Sequence, residues 1–143
     1  LLTNNNILKT KYQDPKNKIA KKYLVQVEGN PDELGLNMLR KGIIIENYKT
    51  LPAVVNKIDE PQLWERPKPI RFRKNKPTSW LEITIFEGKN RQIRKMTAKI
   101  GCPCLRLIRI SIGQYEIGHL QPGQFRILLG INSINNNQLD CNY

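Results

Sequence analysis

The sequence predicts an α+β domain built on a mixed, mostly antiparallel sheet flanked by helices. Three observations predict it. Strand-like alternation recurs in residues 22–28 and 80–86, and residues 104–112 read as another strand, so strands outnumber helices. The strands return through short turns, which favours antiparallel pairing over repeated crossovers. The 143 residues, 39% apolar and 25% charged, suit one domain with one core.

Each element has its own justification. In residues 22–28, Tyr23, Val25 and Val27 alternate with Leu24 and Gln26. Asn30 then reads as an N-cap, Pro31 as the first helical position and Glu33 as part of a capping box. The helix is expected to run to about Lys41, with Gly42 suited to its left-handed end. Leu34, Met38 and Leu39 form its expected core face. Residues 43–46 and 53–58 read as short strands. Residues 59–79 hold Pro61, Pro67, Pro69 and Pro77 among many bases, the composition of a long, ordered loop that touches a ligand. In 80–86, Leu81, Ile83 and Ile85 share one face, and Glu82 and Thr84 the other. Glu87-Gly88-Lys89-Asn90 is a turn, with Asn90 placed to cap a helix over 91–100. Ile93, Met96 and Ile100 face inward from that helix, Gly101 ends it and Pro103 forbids its continuation. Residues 104–112 and 125–129 read as further strands. The domain thus spans 1–129, and the Asn-rich, patternless stretch 130–143 is expected to be a disordered tail.

Charge narrows the function. The chain carries 24 Lys and Arg against 12 Asp and Glu, a net +12. Between Trp64 and Arg109 lie thirteen bases and three acids, so that window alone supplies +10. Such clustering is the electrostatic footprint of phosphate binding; a merely solvated surface is the blander alternative. The longest aliphatic run, Ile43-Ile44-Ile45, is far short of the roughly 20 residues of a membrane-spanning helix. No secretory signal pattern opens the chain, and three Cys suit a reducing, cytoplasmic compartment. Cys102, Cys104 and Cys141 with the distant His119 make a poor zinc set, so no metal is expected, and His119 reads as a surface turn residue. Residue 1 is Leu, not Met, which raises the expectation of a piece of a longer protein.

The helix at 91–100 is chemically the most telling. It places Arg91, Arg94, Lys95 and Lys99 opposite its apolar anchors, and Lys89-Asn90 with the first free amides makes an anion site. A guanidinium at Arg94 suits orientation of a carboxylate or phosphate; the alternative is an ordinary basic face. Tyr23, taken alone, reads as a core aromatic of its strand.

The run Glu87-Gly88-Lys89-Asn90-Arg91-Gln92-Ile93-Arg94-Lys95-Met96 resembles the last catalytic-core motif of the pseudouridine synthases that act on ribosomal RNA. Gly101-Cys102-Pro103, Leu105-Arg106-Leu107-Ile108-Arg109, Ile112-Gly113 and Leu120-Gln121-Pro122-Gly123 follow in an order similar to the RsuA-like branch. Residues 20–29, Thr50-Leu51-Pro52-Ala53, Pro69-Ile70-Arg71 and Pro77-Thr78-Ser79-Trp80-Leu81 extend the resemblance to about Leu128. It implies cofactor-free and metal-free isomerisation of a uridine in large-subunit rRNA, by a cytoplasmic monomer with no membrane contact. The base leaves its stack, an Asp attacks, and the base is turned and rejoined through carbon. Arg94 would pair with that Asp, Ile93 would line the pocket, and Tyr23 would pack on the base and help take the proton from carbon. Arg66, Lys68, Arg71, Arg73, Lys89, Asn90, Arg91, Gln92 and Lys95 would contact RNA.

One departure matters. The family's Asp lies in a Gly-Arg-Leu-Asp motif shortly before a run ending Leu-Leu-Thr-Asn, and this chain begins with Leu1-Leu2-Thr3-Asn4. Asp14, Asp32, Asp59 and Asp140 match no such context. The expectation is therefore an inactive C-terminal fragment that binds RNA at best. A non-catalytic rRNA-binding protein, ribosomal-protein-like or a decayed synthase, is the alternative from another class.

Overall fold

The computed structural model describes residues 1–66, 68, 69 and 76–128. Arg71 and Arg73 of the basic loop, Leu129, Cys141 and the expected tail at 130–143 lie outside the described residues.

The alternating segments become the long strands of one sheet: β1 (Lys21–Glu28), β5 (Thr78–Ile85) and β6 (Cys104–Ile112). With β4 (Val54–Ile58) and β7 (Tyr115–Glu116) they form five strands in the order β4-β5-β1-β6-β7. Every pairing among the described residues of this sheet is antiparallel. β1 is central, and its register sets Tyr23 opposite Ile83 on one side and Arg109 on the other. A two-stranded ribbon, β2 (Ile44–Ile45) with β3 (Tyr48–Lys49), lies apart.

One face of the sheet makes the core. Val25, Val27, Val55, Leu81, Ile83 and Ile85 pack against Leu36 and Leu39 of α2 (Glu33–Lys41) and Ile93 and Met96 of α3 (Gln92–Lys99). Both helices bury the stripe that a 3.6-residue repeat can offer.

Four expectations need correction. Asp32, not Asn30, caps α2: its Oδ1 accepts the Gly35 N–H at 2.8 Å, while Asn30 accepts from Lys57 Nζ. The buried stripe of α2 is Gly35, Leu36 and Leu39, and Leu34 and Met38 are 73% and 43% exposed. Both stripes satisfy helical spacing. Gly35 decides between them, because a Cβ there would already lie 3.5 Å from Ile100 Cβ, so the helix can approach closely only on that side. Asn90 does not cap α3; Arg91 occupies the N-cap in the left-handed region with no side-chain bond to the helix. No strand forms over 125–128, where Arg126 merely donates to the Glu116 carbonyl at 3.0 Å. The last strand of the sheet is instead β7, turned back onto β6.

Two elements are additions. Asn5 caps α1 (Asn6–Gln13), accepting from Ile7 and Leu8 N–H at 2.9 and 3.2 Å. α1 buries only Leu8 and Tyr12, and Tyr12 rests on Tyr115 with ring centroids 5.7 Å apart. The other is β3: β2 falls within the strand expected over 43–46, and its two-residue partner is too short to show alternation.

Candidate functional site

Odd and even residues of β1 serve different hollows, because successive strand side chains point to opposite faces. Lys22 and Leu24 help line a shallow hollow of about 390 Å³ with Trp64, Ile108 and the exposed turn residue His119. Lys21 and Tyr23 line a larger cleft of about 790 Å³ between α1, β1, β6 and the turn that leads into α3.

The turn is built by one buried carboxylate. Glu87, 6% exposed, accepts the Leu51 N–H at 2.8 Å and the Gln92 side-chain amide at 2.7 Å. Gln92 Oε1 in turn accepts the Lys89 N–H at 3.2 Å. Backbone and side-chain groups left open by the missing cap are thus partly satisfied from inside. Arg91 then takes a positive φ of 52° and presents its side chain to the cleft. Lys89 lies 4.0 Å over the Tyr48 ring, a cation–π contact that steadies it at the rim.

The cleft brings together Tyr23, Ile93, Lys89, Arg91 and Gln92 of the residues singled out from the sequence. Tyr23 is half-buried: it packs against the core and also lines the cleft. Ile93 is 3% exposed and forms part of the wall. Gln92 is buried, and both ends of its amide are engaged by the turn. Other predicted residues stand elsewhere. Lys95 pairs with Glu46 at 3.0 Å. Asn90 and Lys68 are exposed. Arg66 Nη1 donates to the Leu105 carbonyl at 3.3 Å. Arg94 lies outside the lining, with Nη1 3.4 Å from the Cys104 carbonyl and 3.5 Å from Cys104 Sγ. Contacts that long hold a guanidinium lightly. Burial raises the pKa of the Cys104 thiol, and the Arg94 and Arg91 guanidiniums oppose that rise.

Sequence reasoning missed Lys9, Lys21 and Arg109 as members of this site. Lys21 is 6% exposed, and its Nζ donates to the Ile19 carbonyl at 3.1 Å. Burial, and then the Arg109 charge, lower its pKa from the ordinary lysine value. The available signal was its position two residues before Tyr23, on the same strand face. The lining therefore holds five cations, Lys9, Lys21, Lys89, Arg91 and Arg109, and no carboxylate. Among the described residues no three His, Cys, Asp or Glu side chains gather where a metal ion could sit, and no helix is long and apolar enough to cross a membrane.

The cleft thus sets five cations around Tyr12, Tyr23 and an aliphatic wall on an α+β scaffold. The profile of the RNA pseudouridylate synthase family matches residues 1–99, and the chain belongs to that family. It is 55% identical over 126 residues to a ribosomal large subunit pseudouridine synthase E of Vibrio parahaemolyticus, covering 88% of this chain and 53% of that protein. It is 46% identical over 128 residues to a protein of the same name from Xanthomonas campestris pv. campestris, covering 89% and 68%. The chain thus spans about half the length of the Vibrio relative. Among solved structures, a pseudouridylate synthase shares the fold with a TM-score of 0.58 at 24% identity, over 75% of this chain and 40% of that one.

Proposed function

We propose that this chain forms the RNA-holding and base-recognising wall of a pseudouridine synthase that acts on large-subunit ribosomal RNA. The observation that carries the reading is the cleft itself, where Tyr23 and Ile93 stand among five cations. In this reading the target uridine leaves its stack, a step that costs a few kcal/mol, and the pocket repays it. Tyr23 packs against the flipped base and helps remove the proton from carbon, and Ile93 closes the wall. Lys89 and Arg91 hold flanking phosphates, with Arg66, Lys68, Arg71, Arg73, Asn90, Gln92 and Lys95 along the wider RNA path. Arg94, only lightly held at Cys104, turns to pair with the attacking Asp and keeps it ionised and aimed. The protein works as a cytoplasmic monomer without metal or cofactor, on a catalytic domain within residues 1–129.

The chemistry needs a carboxylate, and the cleft lining contains none. The 143-residue chain is therefore expected to bind RNA and convert nothing. Joined to an amino-terminal segment carrying the Gly-Arg-Leu-Asp motif, it is expected to form pseudouridine in large-subunit rRNA, read by carbodiimide adducts and primer extension. Arg94→Ala in that longer protein should abolish turnover and leave RNA affinity nearly intact. Conversion by the 143-residue chain alone, or normal turnover in Arg94→Ala, would refute the assignment. The lack of a carboxylate also favours a second reading, a non-catalytic rRNA-binding protein, which predicts that the longer protein binds rRNA and leaves it unmodified.

A further inference from the structure

Lys21 is the least expected side chain in the cleft. A buried ammonium ordinarily has a carboxylate partner, because desolvating an unpaired charge is costly. Among the described residues Nζ donates one hydrogen bond, to the Ile19 carbonyl at 3.1 Å, which leaves two N–H donors without a partner there. No ion pair engages Lys21 among the described residues, and the like charge of Arg109 acts on it. The stem is braced, since a Cβ on Gly88 would lie 3.7 Å from Lys21 Cε, so the turn at 87–91 packs over it. Lys21 and Tyr23 share one face of β1, and Arg109 stands opposite Tyr23 on β6. Two cations, the buried Lys21 and the exposed Arg109, thus lie on the Tyr23 side of the sheet, next to the aromatic proposed to meet the base.

Resting on the reading of this cleft as an RNA site, we propose that Lys21, with Arg109, is the phosphate-binding residue for the flipped nucleotide itself. A neutral uracil ring would leave the repulsion between the two cations uncompensated, whereas a phosphate monoanion or dianion cancels it and accepts the free N–H donors. The exposed cations, Lys9, Lys89 and Arg91, attract RNA along its length. Lys21 is different because it is buried and fixed, so it reads where one phosphate sits and thereby sets how deeply its nucleotide enters. A fixed, dehydrated cation makes a positioning contact, and a solvated one mainly adds affinity.

The test compares uridine 5′-monophosphate with uridine, both titrated into the 143-residue chain and followed by NMR. In the wild type the monophosphate is expected to bind about tenfold tighter than uridine. The Lys21 Cε resonance, recognised by its loss in Lys21→Met, should move with the monophosphate and stay still with uridine. Lys21→Met should lose that preference while binding uridine as before, and Lys21→Arg should keep most of it. The methionine fits the buried stem, so its melting temperature is expected to be no lower than the wild type's. A structural strut would instead lose melting temperature and both affinities together, which overturns the proposal. It is equally overturned by a wild-type chain with no preference for the monophosphate, or by a Lys21→Met chain that keeps it, as when Lys21 serves a protein carboxylate. Failure of the synthase reading has a separate signature: the longer protein leaves rRNA unmodified while the Lys21-dependent preference persists.

Discussion

Glu87→Ala strips the turn that presents Lys89 and Arg91 of its buried carboxylate anchor. Glu87 Oε1 accepts both the Leu51 N–H at 2.8 Å and the Gln92 amide at 2.7 Å. A buried polar group left without its partner costs about 1–3 kcal/mol. Gln92, 3% exposed, bears the full cost, whereas Leu51, 38% exposed, can recruit water for its N–H. The expected loss is about 1–3 kcal/mol, a sizeable part of the roughly 5–15 kcal/mol that holds a domain together. Glu87→Gln keeps an acceptor oxygen in place and gives up the charge assistance, so about half of that loss is expected. Urea unfolding, followed through the buried Trp80, measures both, and the pair should be studied as a cycle with Gln92→Ala. The double variant should lose about 1–2 kcal/mol less than the sum of the two singles, because one shared bond is removed twice. Losses for Glu87→Ala under 0.5 kcal/mol, or strict additivity in the cycle, would show that the turn is held by other contacts.

Other perturbations probe the scaffold and the buried ammonium. Gly42→Ala puts a Cβ 2.4 Å from the Thr50 carbonyl at a φ of +86°, and a loss of at least about 2 kcal/mol is expected in the same denaturation assay; an unchanged midpoint would contradict the close approach. Asp32→Ala removes the cap of α2 and should cost about 1 kcal/mol, seen as a lower urea midpoint; no change would return the capping role to Asn30. Lys21→Met removes a charge whose pKa is lower in the folded chain than unfolded, so the unfolded state binds its proton more tightly. Below the folded pKa the wild type carries the penalty in full, and rising pH relieves it. The variant's advantage in melting temperature should therefore be largest near pH 7 and shrink as the pH approaches the ordinary lysine value; a gap that widens would reverse the sign of the argument.

Much of the scaffold was legible because its signals are local. The strands expected over 22–28, 80–86 and 104–112 match β1, β5 and β6, the last at both ends. The stop of α3 was equally plain, since Gly101 takes a φ of 75° just past it. α1 escaped notice because two anchors, Leu8 and Tyr12, make no periodic stripe. The same limit applied to α2, where residues 34/38 and 35/39 fit one period equally well and only Ile100, from a distant part of the chain, separates them.

The site divides in the same way. Residue types and their order alone established a basic chain with the Glu87–Met96 motif, Tyr23 on a strand, and family membership. They also established a lack of any Asp in the family's nucleophile context. Tertiary structure alone decided that Lys21 is desolvated beside Arg109, that Glu87 and Gln92 are spent on holding a turn, and that Arg94 faces Cys104 rather than the cleft. The physical reason is that periodicity and motif spacing are properties of neighbouring residues. Burial and charge pairing depend on which strands meet: here β1 between β5 and β6, elements fifty or more residues away along the chain.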